Sequence, residues 1–261
     1  MSRACYHASV TEQFTDLAPI YDALMAGIPY DEWVDYVQAL AVRHGHRMGD
    51  VLDVGCGTGT VARLLADSGC RVTGFDISEN MIREAVRKND GRSNPRFFAC
   101  PMQRLDLPDR FDTAVSLFDS LNYITDPDDL REGVHRVHRH VIPGGLFIFD
   151  MNTPYALEQE LFTQSDTRKS IPVRYSWKSR FNHETRLTRV EMTFQWDKDG
   201  LPMTTHEVHH QRAYEIADVE TMLDDAGFET LEILEAYTMR KPVKRTDRVY
   251  IVARRPMPNQ Q

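Results

Sequence analysis

Cysteine is scarce. Four residues in 261, Cys5, Cys56, Cys70 and Cys100, form no CxxC pair. So few thiols in a chain this long point to reduced cysteines, not a disulfide framework, and to the cytoplasm. Long apolar runs are also missing, so no helix is expected to span a membrane. The segment MSRACYHASVTEQF has no apolar core, and no secretory peptide is expected from it. Basic charge is in deficit, with 31 Lys and Arg against 39 Asp and Glu and a net charge of −8. Nucleic-acid binders draw most of their affinity from phosphate neutralisation, so this balance argues against an RNA or DNA partner. The one basic cluster, Arg240, Lys241, Lys244, Arg245 and Arg248, reads as a solvated loop before the last strand. His135, His138 and His140 lie in a charged stretch without Cys or carboxylate at ligand spacing, and no metal is expected there. There is no internal repeat and no low-complexity segment.

What the chain does have is the composition of a globular protein with a real core, 41% hydrophobic and 27% charged. The first fifty residues read as helices. Phe14, Leu17, Ile20, Tyr21 and Leu24 recur at helical spacing, as do Trp33, Tyr36, Val37 and Leu40, with Gly27 and Pro29 between them. The period then changes. VLDV (51–54), RVTGFD (71–76), RFFA (96–99), FDTAVSLF (111–118) and GLFIFD (145–150) read as strands, the last introduced by Pro143-Gly144-Gly145. Helices are predicted over 61–68, over 78–88 with Ser78 as N-cap, and over 126–141. Such alternation predicts a doubly wound α/β domain with a parallel sheet. From about 171 to 212 the period is two, with Val190, Met192, Phe194 and Trp196 on one face and a turn at Asp199-Gly200. A helix over 216–227 capped by Gly227 and strands over 228–237 and 248–255 close the chain. The organisation expected is a helical lid (1–50), a core (51–151 and 213–256) and an antiparallel β insert (152–212) that shapes a pocket or pairs with a second copy.

The strongest chemical signal is VLDVGCGTGT, 51–60. An apolar strand carrying Asp53 runs into Gly55, Gly57 and Gly59, and a helix follows. Glycines suit a sharp turn with a ligand lying against the backbone, and the helix start offers free N–H groups. Asp76 ends the next strand, where a carboxylate accepts hydrogen bonds from ribose hydroxyls. The segment 57–62 also fits the G-x-G-x-x-A pattern of dinucleotide binders. Against NAD stand the acidic residue inside the first strand and the long helical segment before it.

Taken in order, Asp53 to Gly59, Asp76, RLDLPDRFD, DSLNY (119–123), PGGLFIFD (143–150) and AGFE (226–229) resemble the motifs of class I S-adenosylmethionine-dependent methyltransferases. The likeness covers nearly the whole chain outside the insert and tails, and extends to bacterial enzymes that tailor amino sugars and antibiotics. It implies a Rossmann-like sheet of seven strands, the last antiparallel, and S-adenosylmethionine as cofactor. It further implies cofactor contacts from Tyr21, Asp53, Gly55, Cys56, Gly57, Thr58, Gly59, Asp76, Ile77, Met81, Met102, Gln103 and Phe118. In that likeness Tyr21 closes over the cofactor and Asp76 holds the ribose. The Gly55 carbonyl and Phe118 face its amino group, and Ile77 packs on the adenine beside Met102 and Gln103. Related sequences often carry Asp where Pro101 stands, which removes one side-chain bond to the adenine.

The expected activity is methyl transfer to N or O of a small molecule by a monomer or homodimer, with positioning as the main catalytic resource. Aromatics of the lid (Phe14, Tyr21, Tyr30, Trp33) and of the insert (Tyr175, Trp177, Trp196) suit a dry site. Asp119, Tyr21 and His210 are the expected catalytic residues, with His209, Tyr123, Arg212 and Tyr214 as further pocket candidates. Since His209 and His210 point to opposite faces of a strand, at most one reaches the site. An RNA or protein methyltransferase and a non-catalytic cofactor-binding protein remain the alternatives, because fold does not fix function.

Overall fold

A computed structural model describes residues 13–258. Cys5 and the start of the lid range 1–50 lie outside them. The lid contains a short 3-10 turn (Ala18–Ile20), α1 (Tyr21–Leu24) and α2 (Tyr30–Arg43). The core follows as β1 (Asp50–Val54), α3 (Thr60–Asp67), β2 (Arg71–Asp76), α4 (Glu79–Lys88), β3 (Arg96–Ala99), β4 (Phe111–Ser116), α5 (Pro127–His140) and β5 (Val141–Asn152). After α6 (Pro154–Glu158) come the insert strands β6 (Gln164–Asp166), β7 (Val173–Asn182), β8 (Leu187–Lys198) and β9 (Leu201–Arg212). Finally α7 (Ile216–Ala226), β10 (Glu229–Glu235) and β11 (Arg248–Arg254) return to the core.

The seven-stranded sheet has the order β10-β11-β5-β4-β1-β2-β3. Strands β5, β4, β1, β2 and β3 are parallel, and β11 runs antiparallel to both β5 and β10. The doubly wound architecture with a reversed last strand is therefore as the resemblance implies. Helices α5 and α7 cover one face through Leu130, Val134, Val137, Val219, Met222 and Leu223. The other face packs on α2 and α3 through Val34, Val37, Leu40, Ala62 and Leu65. Leu40, Phe147 and Phe149 are fully buried. Each such side chain contributes about 1.5–3 kcal/mol by leaving water.

Local chemistry sets the element ends. Ser78 Oγ accepts from the Met81 N–H at 3.3 Å and caps α4. Met81, Ile82 and Ala85 give that helix its buried stripe. At Asp199-Gly200 both residues have positive φ, 53° and 79°, as a two-residue hairpin turn requires. Two expectations need correction. Strand β5 starts at Val141, not at 145, because Pro143-Gly144-Gly145 bulges inside the strand: Phe111 pairs with Val141, and Thr113 next pairs with Leu146. The insert sheet begins earlier, at Gln164, and α6 was not foreseen, although Thr153 Oγ1 caps it by accepting from the Ala156 N–H. Two histidines of α5 have structural partners: His140 Nε2 accepts from the Leu107 N–H at 2.8 Å, and His138 packs edge-on against Phe228, neither of which alters the expectation for that helix.

The four insert strands form one antiparallel sheet, β6-β7-β8-β9. Its inner face (Val173, Val190, Met192, Phe194) packs against Leu17 and Ile20 of the lid, with Phe14, Tyr21, Leu24, Tyr175 and Trp177 around them. Lid and insert thus share a small core of their own, which roofs the edge of the main sheet where the parallel strands end. Among the described residues, no helix is long and apolar enough to cross a membrane.

Candidate active site

A cavity of about 930 Å³ lies between the carboxyl ends of β1, β2 and β4 and the lid–insert roof. Ligand pockets usually measure about 300–1,000 Å³, and open α/β sheets bind ligands at this edge.

The floor is the glycine turn. Gly55 has φ 73° and takes its place against Ser120, whose Cβ would lie 2.9 Å from any Cβ added there. Gly59 has φ 76°, and an added Cβ would meet the Phe97 ring at 2.5 Å. Both positions therefore require glycine. Asp76 fastens the turn: its Oδ2 accepts from the Gly57 N–H at 2.9 Å and its Oδ1 from the Ser78 N–H at 2.8 Å. A carboxylate has about four lone-pair sites, so these bonds do not exhaust its acceptor capacity. Burial pushes the Asp76 carboxyl up, and the N–H groups of Ser78, Gly57 and Ile77 oppose that rise. Asp53 is buried too, and its Oδ2 has no hydrogen-bond partner. Burial, helped by the nearby charge of Asp76, raises its pKa to about 7. Ile77 is 67% exposed although it lines the cavity, an apolar side chain with nothing packed over it.

On the roof, Tyr21 is half-buried and hydrogen-bonded to Tyr30; desolvation first, then Tyr30 and Tyr123, hold its hydroxyl well above the usual range. Asp22 ties α1 to the floor, accepting from Thr58 Oγ1 at 2.6 Å and pairing with Lys88 of α4. Lid and insert line the cavity with Phe14, Leu17, Phe162, Tyr175, Trp177 and Met192, and the insert adds the polar Gln164, Asp166, Arg168 and His209.

Phe118 and Asp119 follow β4 with φ of 68° and 51°, left-handed backbone that is strained outside glycine. Such residues cost about 1–3 kcal/mol each and cluster at functional sites. Here Arg248, the first residue of β11, holds them in place. Its Nη2 lies 2.6 Å from Asp119 Oδ1 and its Nη1 pairs with Asp150. Asp119 Oδ2 accepts from Gln211 Nε2 at 2.5 Å. With both oxygens engaged by Arg248 and Gln211, Asp119 is placed to orient other groups, and a free proton acceptor is not what the geometry offers.

Of the residues singled out in the sequence, Tyr21, Asp53, Gly55, Cys56, Gly57, Thr58, Asp76, Ile77, Met81, Met102, Gln103, Phe118 and Asp119 line the cavity. Gly59 does not; it caps α3 under Phe97. His210 does not either. It sits across from Arg189 on the outer face of the insert sheet, and His209 faces the cavity in its place, fully buried across from Val190. Tyr123 is also in the wall, its hydroxyl 3.4 Å from His209 Nδ1. Arg248 and Glu207 were missed. In sequence Arg248 reads as part of the solvated basic cluster, and no motif marks Glu207. Among the described residues, no group of three or more His, Cys, Asp and Glu is arranged to hold a metal ion.

Residues 51–145 match a family model described as a methyltransferase domain. A protein of Geobacillus sp. (strain WCH70) with a provisional methyltransferase name is 34% identical over 90% of this chain and 96% of its own. The dTDP-3-amino-3,6-dideoxy-alpha-D-glucopyranose N,N-dimethyltransferase of Streptomyces fradiae is 26% identical over 75% of this chain and 76% of its own. Among solved structures, an S-adenosylmethionine-dependent methyltransferase from Clostridium acetobutylicum superposes with a TM-score of 0.82 and 29% identity, covering 93% of this chain and 99% of that one.

Proposed function

This chain belongs to the class I S-adenosylmethionine-dependent methyltransferases, and on that premise we propose that it methylates nitrogen or oxygen of a small-molecule acceptor. One observation carries the reading. A single cavity of about 930 Å³ joins a glycine turn to aromatic side chains of the lid and insert, which suits a nucleoside cofactor beside a compact acceptor.

The residues present fit S-adenosylmethionine. The unpartnered Asp53 Oδ2 offers a buried carboxylate to a cationic ligand, and the bare Ile77 side chain offers a surface to a flat ring. In this reading Asp76 uses its remaining lone pairs for the ribose hydroxyls. Gly55, Cys56, Gly57, Thr58 and Phe118 run beside the methionine portion. Ile77, Met81, Met102 and Gln103 take the adenine, and Tyr21 closes from above.

When bound, the sulfonium supplies a methyl group already activated for displacement. The chain's own work is to position and to exclude water. Holding an acceptor in line is worth about 7–11 kcal/mol of a barrier. The lid and the insert both line the cavity, so their shared core shapes the room left for an acceptor. The likeness to an amino-sugar N,N-dimethyltransferase favours an amine among the acceptors to be tried first.

The test begins with calorimetric titration of S-adenosylmethionine and of its demethylated product. Transfer of labelled methyl to a panel of nucleotide-linked amino sugars, free amines and phenols follows. Binding of NAD(H) without S-adenosylmethionine would sink the proposal. Label that enters only macromolecules of an extract, and vanishes after nuclease or protease treatment, would redirect it to RNA or protein.

A further inference from the structure

Glu207, on the cavity side of β9, holds two things at once. Its Oε1 accepts from the N–H groups of Asp16 and Leu17 at 2.9 and 2.8 Å. Its Oε2 accepts from the Phe14 N–H at 3.0 Å and lies 2.6 Å from His209 Nε2. The side chain of Glu207 is 8% exposed and that of His209 1%. Burial works against the Glu207 charge, but His209 and the N–H groups of Leu17 and Phe14 outweigh it and keep the carboxyl below its usual range. An ionised carboxylate only accepts hydrogen bonds, so the proton of a neutral His209 sits on Nε2. The Nδ1 lone pair then faces Tyr123 and the cavity, under the Phe14 ring, whose centroid is 4.5 Å from the imidazole.

We infer that Glu207 and His209 form a proton-accepting dyad for the acceptor, complete only while the Phe14–Leu17 segment is closed over the cavity. This rests on the methyltransferase reading above and deepens it. The acceptor's lone pair forms the bond to the methyl carbon as the C–S pair leaves with sulfur. The acceptor's proton passes to His209 Nδ1, directly or through the Tyr123 hydroxyl, and the resulting imidazolium is held by Glu207. The acceptors this serves are alcohols and phenols, which shed a proton as they are methylated, and amines that arrive protonated and must give that proton to His209 before their lone pair can attack. Glu207 is the positioning residue of the pair. The same carboxylate closes the lid, so the base is set in its tautomer at the moment water is shut out. Besides Glu207, the titratable groups toward His209 are Tyr123 and, through Gln211, Asp119 paired with Arg248; His210 and Arg189 lie on the sheet's other face.

The experiment compares the wild-type protein with Glu207→Gln and His209→Gln by three readouts. In nitrogen-resolved NMR of the cofactor-free protein, His209 should show protonated Nε2 and bare Nδ1 at neutral pH, and Glu207→Gln should remove that fixed tautomer. Amide exchange at Asp16 and Leu17, held by Glu207 Oε1, should quicken at least about tenfold in Glu207→Gln and by less in His209→Gln. With an acceptor found in the panel, His209→Gln should lower kcat by about 10²–10⁴ and abolish the acid limb of its pH profile, with S-adenosylmethionine affinity unchanged. A protonated Nδ1, unchanged exchange in Glu207→Gln, or a wild-type kcat profile in His209→Gln each overturns the dyad. Failure of the parent reading looks different: wild type that binds no S-adenosylmethionine or turns over no acceptor, whatever the NMR shows.

Discussion

Asp76 Oδ2 accepts a hydrogen bond from the Gly57 N–H at 2.9 Å, so the end of β2 holds the turn after β1 in shape. One carboxylate therefore braces the glycine turn and keeps acceptor capacity for a ligand.

Asp76→Ala should weaken S-adenosylmethionine binding by about 10–100-fold, the worth of one or two hydrogen bonds to a charged group. Calorimetry measures it, with a thermal melt to show that the fold persists. Affinity within threefold of wild type would remove Asp76 from the cofactor site.

Asp53 carries a pH signature. Its folded pKa, raised to about 7 by burial and by Asp76, lies above the unfolded value. The protonated group therefore adds stability that is full below pH about 4 and is lost as pH rises to about 7, at up to about 1.4 kcal/mol per unit. The stability of wild type relative to Asp53→Asn, from urea midpoints at pH 5 and pH 7.5 without cofactor, should fall across that window. A difference that does not change with pH refutes the assignment.

Arg248 stands between two buried carboxylates, Asp119 and Asp150. Arg248→Met removes one side of a buried pair and should cost about 3–5 kcal/mol in chemical denaturation. It should also release the strained backbone at Phe118 and Asp119. A loss below about 1 kcal/mol would show that the carboxylates find other partners.

Asp22 links the lid to Thr58 and Lys88 beside the glycine turn. Asp22→Ala should speed S-adenosylmethionine release several-fold in a rapid-dilution assay while binding persists. An unchanged release rate would mean that the aromatic packing around Phe14 and Tyr21 alone holds the lid.

How much of this was legible in the sequence varies with the range of the interaction. The glycine turn, Asp76 and the Ser78 cap are local, and short-range pattern places them correctly. His209 was within reach. A two-residue turn at Asp199-Gly200 pairs Lys198 with Leu201 and, counted outward, Val190 with His209. Directly paired residues share a face, so the histidine opposite a core valine is the inward one. Strand alternation alone separates His209 from His210; the register decides which of them is inward. Glu207 is two residues from His209 on the same strand face, a local relation, but its hold on the backbone of Phe14, Asp16 and Leu17 spans nearly the whole chain and no short-range pattern reveals it. Arg248 looked like one more member of a basic loop, since only the reversed direction of β11 brings it to the ligand edge.

That reversal has a consequence for biosynthesis. A strand that runs against its neighbours presents its first residue where they present their last, and so Arg248 reaches the site from late in the chain. During translation the parallel strands and both Asp119 and Asp150 emerge first, with no counter-ion for either carboxylate. Until the β10–β11 hairpin leaves the ribosome, the nascent core carries two acidic groups that it cannot bury while ionised. Completion of the sheet at β11 is then the step that gives both carboxylates their shared cation.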